Sequence, residues 1–328
     1  MRFPHLDQAT RGLRGRAFCH AAAAMAGRPH THNSMAAWYL QGHPNLHSDV
    51  RKQWRRAFEG ATIASWVRDD LSKRYPALRQ VFHNPLWALI SESADAMDWD
   101  ALADTIQVAN QPLDGPLGRL TTLLSDRVDW PCFCVHLVML RTHHCRFRIY
   151  RQWLANNFVR IFGWVSVQSP LVFIANEVHR QLSPLVLDEH LSPATVTSWA
   201  KWPEIHQLNL ELIERCSQAH WLSAHDQQLA LWWWNLSAAQ CSSAVNQLYE
   251  DNQEGGQPEE MSTTLQQVWR RKRHRWLDHP IVLNGFDCGF PQVGGLERLD
   301  KIVGWGGSPA SQVILRVLHA GFMPLVER

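Results

Sequence analysis

Residues 132 to 145, CFCVHLVMLRTHHC, hold three cysteines and three histidines in fourteen positions. Thiolate and imidazole are the side chains zinc prefers, and a tetrahedral site needs four of them within about 2.0–2.3 Å of one ion. On a helix turning about 100° per residue, Cys132, His136 and His143 share a face, Cys134 and Cys145 oppose it, and His144 points sideways. His143 then sits about 10 Å along the axis from His136. On a strand, Cys132, Cys134 and His136 would share a face, and both faces would be apolar. Neither geometry gathers all six, and the paired ligand spacing of zinc modules is missing. The expectation is an apolar helix without a cofactor, with Cys132 and His136, four residues apart, as the pair to test for zinc.

A second stretch suggests phosphate chemistry. In WRRKRHRW, Arg270, Arg271, Lys272, Arg273 and Arg275 lie between Trp269 and Trp276. Clustered cations neutralise phosphates and release counterions, and indoles stack on bases. On a helical wheel Leu265, Val268, Trp269 and Trp276 share a face. That docks the segment on the core and leaves the cations to a nucleic-acid partner. SPATVTSWAKW, 192 to 202, has the look of a recognition helix presenting Thr195, Thr197 and Ser198, with Val196 and Trp199 inward. It fits a helix-turn-helix only if LVLDEH forms a short middle helix, because the helix before it is expected to end near Leu182.

Two further features need an outlet. In RCSQAH, Arg215 stands five residues before His220. This spacing resembles the short catalytic motif of HEPN-type helical ribonucleases. The resemblance implies that the pair manages proton transfer and phosphate charge at an RNA 2′-hydroxyl. It covers six residues and departs at Cys216, where a polar residue is usual. In LWWWNL, three consecutive indoles sweep about 200° of helix. Trp233 suits the face of Leu229 and Leu236, so Trp234 requires either a second helix layer or a protein partner. No GxxxxGK[ST] and no GxSxG occurs, so phosphate-loop and hydrolase-elbow readings have no foothold. GWGGS, 304 to 308, reads as a turn, and HPNLH lacks the glutamate of a zincin.

The elements that must position these residues are mainly helical. DVRKQWRRAFEGATIASWVRDDLSKRYP puts Val50, Trp54, Phe58, Ile63, Trp66, Val67 and Leu71 on one stripe, capped by Asp49. DWDALADTIQVAN repeats the pattern. A long apolar region runs from Pro131, a good first helical residue, to Val167. Helices are expected from Pro170, from Pro193, over EIHQLNLELIERCSQAHWL and over HDQQLALWWWNLSAAQCSSAVNQLY. The acidic stretch 249 to 264 reads as a linker between a multihelical body, 1 to 248 with a sub-boundary near 111 to 130, and a C-terminal part, 265 to 328. Seven of the chain's 18 glycines fall in 285 to 307, so that part is expected to be loop-rich with short strands.

Composition bounds the rest. The 328 residues are 45% hydrophobic and 19% charged, with a net charge of +2. This is a folded composition whose polyanion binding would have to be local. There are 27 arginines to 5 lysines and 17 tryptophans to 4 tyrosines. Seven cysteines, an odd number, make no disulfide framework and suit a reducing cytoplasm. No run reaches the roughly 18 apolar residues of a membrane span. The Arg-rich start reads as an N-terminal helix rather than a presequence. The resulting expectation is a mainly α, irregular multihelical protein of the cytoplasm. It would associate with nucleic acid or act as an adaptor, without being an enzyme. The rivals are a helical RNA-cleaving or metal-dependent enzyme and a structural subunit of a larger complex.

Overall fold

The computed structural model describes residues 5–43, 49–113, 124–187, 193–219, 221, 229–250, 261–268, 270 and 281–290. The fold is mainly α and multihelical. Helix α1, Gln8–Met25, starts at Asp7, whose carboxylate accepts the Thr10 N–H at 2.8 Å, satisfying one of the orphan donors of the first turn. It ends at Gly27, at φ 60°, with Arg28 N–H bonded back to the Ala23 carbonyl at 2.9 Å. Only glycine takes that left-handed position cheaply. Helix α2, His32–Gly42, is capped by the Thr31 hydroxyl.

The stripe expected from 49 to 71 divides into two helices, α3, Asp49–Phe58, and α4, Ser65–Arg74. The cause is Gly60 at φ 100°, where Ala61 N–H returns to the Arg56 carbonyl at 2.8 Å. This is the same C-terminal stop used after α1. The break throws Trp66 outward, 43% exposed, while Val50, Trp54, Val67 and Leu71 stay buried. The turn lies tight against α1, where a Cβ on Gly12 would sit 2.7 Å from the Gly60 carbonyl oxygen. Helices α5, Leu78–Phe82, α6, Leu86–Leu89, and α7, Trp99–Asp104, complete this half.

A small antiparallel sheet follows, in the order β2-β1-β3-β4. Its strands are β1, Gln107–Val108, β2, Gln111–Pro112, β3, Ile281–Leu283, and β4, Phe286–Asp287. Both hairpin turns, Ala109–Asn110 and Asn284–Gly285, have positive φ at both positions, the backbone that matches strand twist in two-residue loops. Val108 opposes Ile281, so the C-terminal hairpin is built into the body. Asn84 ties it further, donating to the carbonyls of Cys288 at 3.1 Å and Gly289 at 3.2 Å.

The second half is a layered bundle: α8, Trp130–Arg141, α9, Arg148–Val165, α10, Ala175–Leu187, α11, Pro193–Ala200, α12, Trp202–Gln218, α13, Leu229–Trp234, and α14, Ala238–Glu250. Asp129 caps α8 by accepting Cys132 N–H at 2.9 Å, with Pro131 in the first turn as expected. Every residue from Cys132 to Met139 is 0% exposed; a helix buried on all sides is a central helix. Beyond the acidic stretch, of which 251 to 260 fall outside the described residues, Met261 and Leu265 are buried. The Trp232 indole donates to the Leu265 carbonyl at 3.2 Å. Among the described residues no helix is long and apolar enough to cross a membrane.

Candidate anion-binding surfaces

The Cys/His stretch is helical only through Arg141; Thr142 caps the helix, and His143, His144 and Cys145 leave it. Cys132 and His136 do meet, with Sγ 3.3 Å from Nε2, and Sγ also 3.3 Å from the Leu124 carbonyl. Cys134 faces away, toward Asn84. Among the described residues no group of three or more His, Cys, Asp or Glu side chains is arranged to hold a metal. The pair's environment also opposes nucleophilic chemistry. Burial pushes the Cys132 thiol well up, and burial with the Arg127 charge pushes His136 down to about 3. A cysteine nucleophile needs its thiolate, and here both partners are held neutral.

The other predicted residues fare differently. Arg215 is engaged: its Nε and Nη2 each lie 3.1 Å from Glu211 Oε1. Its guanidinium covers the Tyr249 ring at 3.8 Å, and the Tyr249 hydroxyl donates to the same carboxylate oxygen at 2.7 Å. His220 lies outside the described residues. Thr195 is corrected as a recognition residue, because it is buried and its hydroxyl donates to the Ala155 carbonyl at 3.0 Å. Thr197 and Ser198 are exposed, and Trp199 points inward. Trp234 is corrected as a partner anchor. It is 9% exposed, its indole donates to the Ser125 carbonyl at 2.7 Å, and Arg160 covers its ring at 4.2 Å. A second layer of the protein itself supplies what the sequence required. Of the basic run, Arg270 is exposed, 3.4 Å from Gln266 Oε1. Trp269, Arg271, Lys272, Arg273, Arg275 and Trp276 lie outside the described residues.

Sequence reasoning missed a basic surface in the first half. Helix α3 buries Val50, Trp54 and Ala57 against α1 and α2. The 3.6-residue period therefore turns Arg51, Lys52, Arg55 and Arg56 together into solvent, where all four are exposed. Arg55 has a loose, exposed partner in Glu59 at 3.8 Å. Arg51, Lys52 and Arg56 have no acidic partner among the described residues. The signal was available in the charges. Residues 1 to 83 contain thirteen Lys and Arg against five Asp and Glu, in a chain whose net charge is +2. The positive charge of the chain is therefore concentrated in its first 83 residues.

No family model, curated protein or solved structure matches the chain. Its own geometry defines the class: a mainly α, multihelical protein with a four-stranded antiparallel sheet.

Proposed function

We propose that the chain is a nucleic-acid-associated protein that works by binding, with its cations set against a phosphate backbone. The observation carrying this reading is the outward face of α3, where Arg51, Lys52 and Arg56 stand exposed and free of acidic partners among the described residues. An exposed cation with no internal partner keeps its full charge for counterion release from a polyanion. The run Arg270 to Arg275 adds a second set in sequence. Two observations support binding over catalysis: Arg215 is committed to Glu211, and the Cys132–His136 pair is neutral and buried. The reading puts the protein in the cytoplasm, a location that seven free thiols suit.

The test is fluorescence anisotropy with labelled duplex DNA, single-stranded DNA and RNA across a salt series. Log affinity should fall linearly with log salt. The variant R51Q/K52Q/R56Q should flatten the duplex slope by about 0.9 for each phosphate it no longer neutralises. Absent or salt-insensitive affinity overturns the reading, and an unchanged slope removes α3 from it.

A further inference from the structure

A cleft of about 390 Å³ opens between α4 and α5. Arg68 and Lys73 of α4 and Arg79 of α5 line it with three cations, and Phe82 and His83 supply aromatic surface. Among the described residues Asp69 is the one carboxylate in its lining. From α1, Arg14 lies over the Phe82 ring with its guanidinium carbon 3.9 Å from the centroid. Arg68 covers the same ring at 4.8 Å. Two helices thus line the cleft with three cations, and α1 sets a fourth, Arg14, against the Phe82 ring that forms part of its wall.

Their partners are few. Arg68 pairs with exposed Asp69 at 3.2 Å. Arg14, Lys73 and Arg79 pair with no acid among the described residues, and the half-buried Arg14 has an Nε shielded from water without a hydrogen-bond partner. Like charges around a shielded guanidinium are costly, and the local field registers it. Burial, then Arg68 and Arg11, lower the Arg14 pKa; burial, then Arg14, Arg68 and Arg79, lower that of His83. A guanidinium resting on a ring retains its in-plane N–H donors for an anion, and its fork matches phosphate oxygens bidentately. Cations spread over three helices suit more than one anionic centre, and the volume falls in the range of small-molecule sites.

We propose that this cleft binds the di- or triphosphate group of a nucleotide-sized molecule, held by Arg68, Lys73 and Arg79 of its lining, with Arg14 reaching it from beside the Phe82 ring. The inference is independent of the α3 face. The test is isothermal titration of the full chain with inorganic pyrophosphate, ATP and adenosine at fixed ionic strength. Pyrophosphate and ATP should bind comparably and adenosine should not bind. Arg14→Met, which keeps the bulk over Phe82, and Arg79→Gln, an exposed position where folding is not at stake, should each weaken pyrophosphate binding by roughly tenfold, the worth of one charged hydrogen bond. The site is refuted if neither phosphate compound binds, if adenosine binds as tightly as ATP, or if Arg79→Gln and folded Arg14→Met both keep wild-type affinity. Because the readout uses no polymer, pyrophosphate binding without duplex binding keeps this site and removes the function proposed above. The converse result does the opposite.

Discussion

Lowering the pH from about 7.5 to about 5 should remove much of the chain's stability, while ordinary carboxylates, with midpoints of about 4, are still mostly ionised. His136 and His206 are both buried. Burial, then Arg127, pushes His136 down to about 3, and burial, then His179, pushes His206 down to about 4. In the unfolded chain both return to about 6.5. Above that value neither state binds the proton, and the two histidines add no pH dependence. Below it the unfolded chain takes up protons the folded chain refuses, so stability falls with pH until the folded pKa is reached. At about pH 5 each histidine costs about 2 kcal/mol, about 4 kcal/mol together, against a typical total of about 5–15 kcal/mol. His20, lowered by burial, His30 and Arg16, and His30, pushed by burial to about 4, act in the same direction. Urea unfolding at several pH values gives the slope directly. The variant His136→Leu, whatever its stability at neutral pH, should lose about 2 kcal/mol of the pH-dependent difference. A wild-type stability flat over this interval, or a variant with the wild-type slope, would refute the reasoning.

Two more predictions concern packing. Gly12→Ala should lower the urea midpoint: its Cβ meets the Gly60 carbonyl oxygen at 2.7 Å, and overpacking of about 1–3 kcal/mol outweighs the roughly 1 kcal/mol gained in helix propensity. Gly15→Ala, where the nearest atom is 3.3 Å away, should be milder. Arg215→Met leaves the buried Glu211 carboxylate with only the Tyr249 hydroxyl of its present partners; the partly exposed pair should cost about 1–3 kcal/mol in chemical unfolding.

Local chemistry makes the helices legible. Pro131 after Asp129 opens α8, and the continuous apolar run that follows marks a helix buried all round. The same reasoning runs two helices together across Gly60, because an apolar stripe persists through a turn that only one glycine announces. The sheet is hidden for a different reason. Val108 pairs with Ile281 across most of the chain, and no local pattern encodes a partner that distant, although Asn284–Gly285 is itself a hairpin signal. The four-residue spacing does mark Cys132 and His136 as neighbours, yet spacing alone does not report the desolvation that keeps both neutral. The cleft is illegible for the same reason as the sheet, since Arg68 and Arg79 line it from two helices and Arg14 reaches its Phe82 wall from a third only after packing.

The near-neutral total charge conceals a partition that bears on both proposals. After residue 83 the chain carries nineteen Lys and Arg against twenty-five Asp and Glu. Several arginines there are held by carboxylates: Arg127 by Asp129 at 2.7 Å, Arg146 by Asp104, and Arg215 by Glu211. Cations so engaged have little left for a partner, since releasing one would expose its carboxylate to the same loss. The first 83 residues invert the ratio, and with few acids to meet, their surplus goes to the α3 face and the α4–α5 cleft. At physiological salt the screening length is about 8 Å, so a phosphate on that half responds to the local excess of cations rather than to the compensating acids on distant elements. A uniform spread of the same charge would predict indifference to polyanions, whereas this distribution predicts that the N-terminal half binds them despite the near-neutral total.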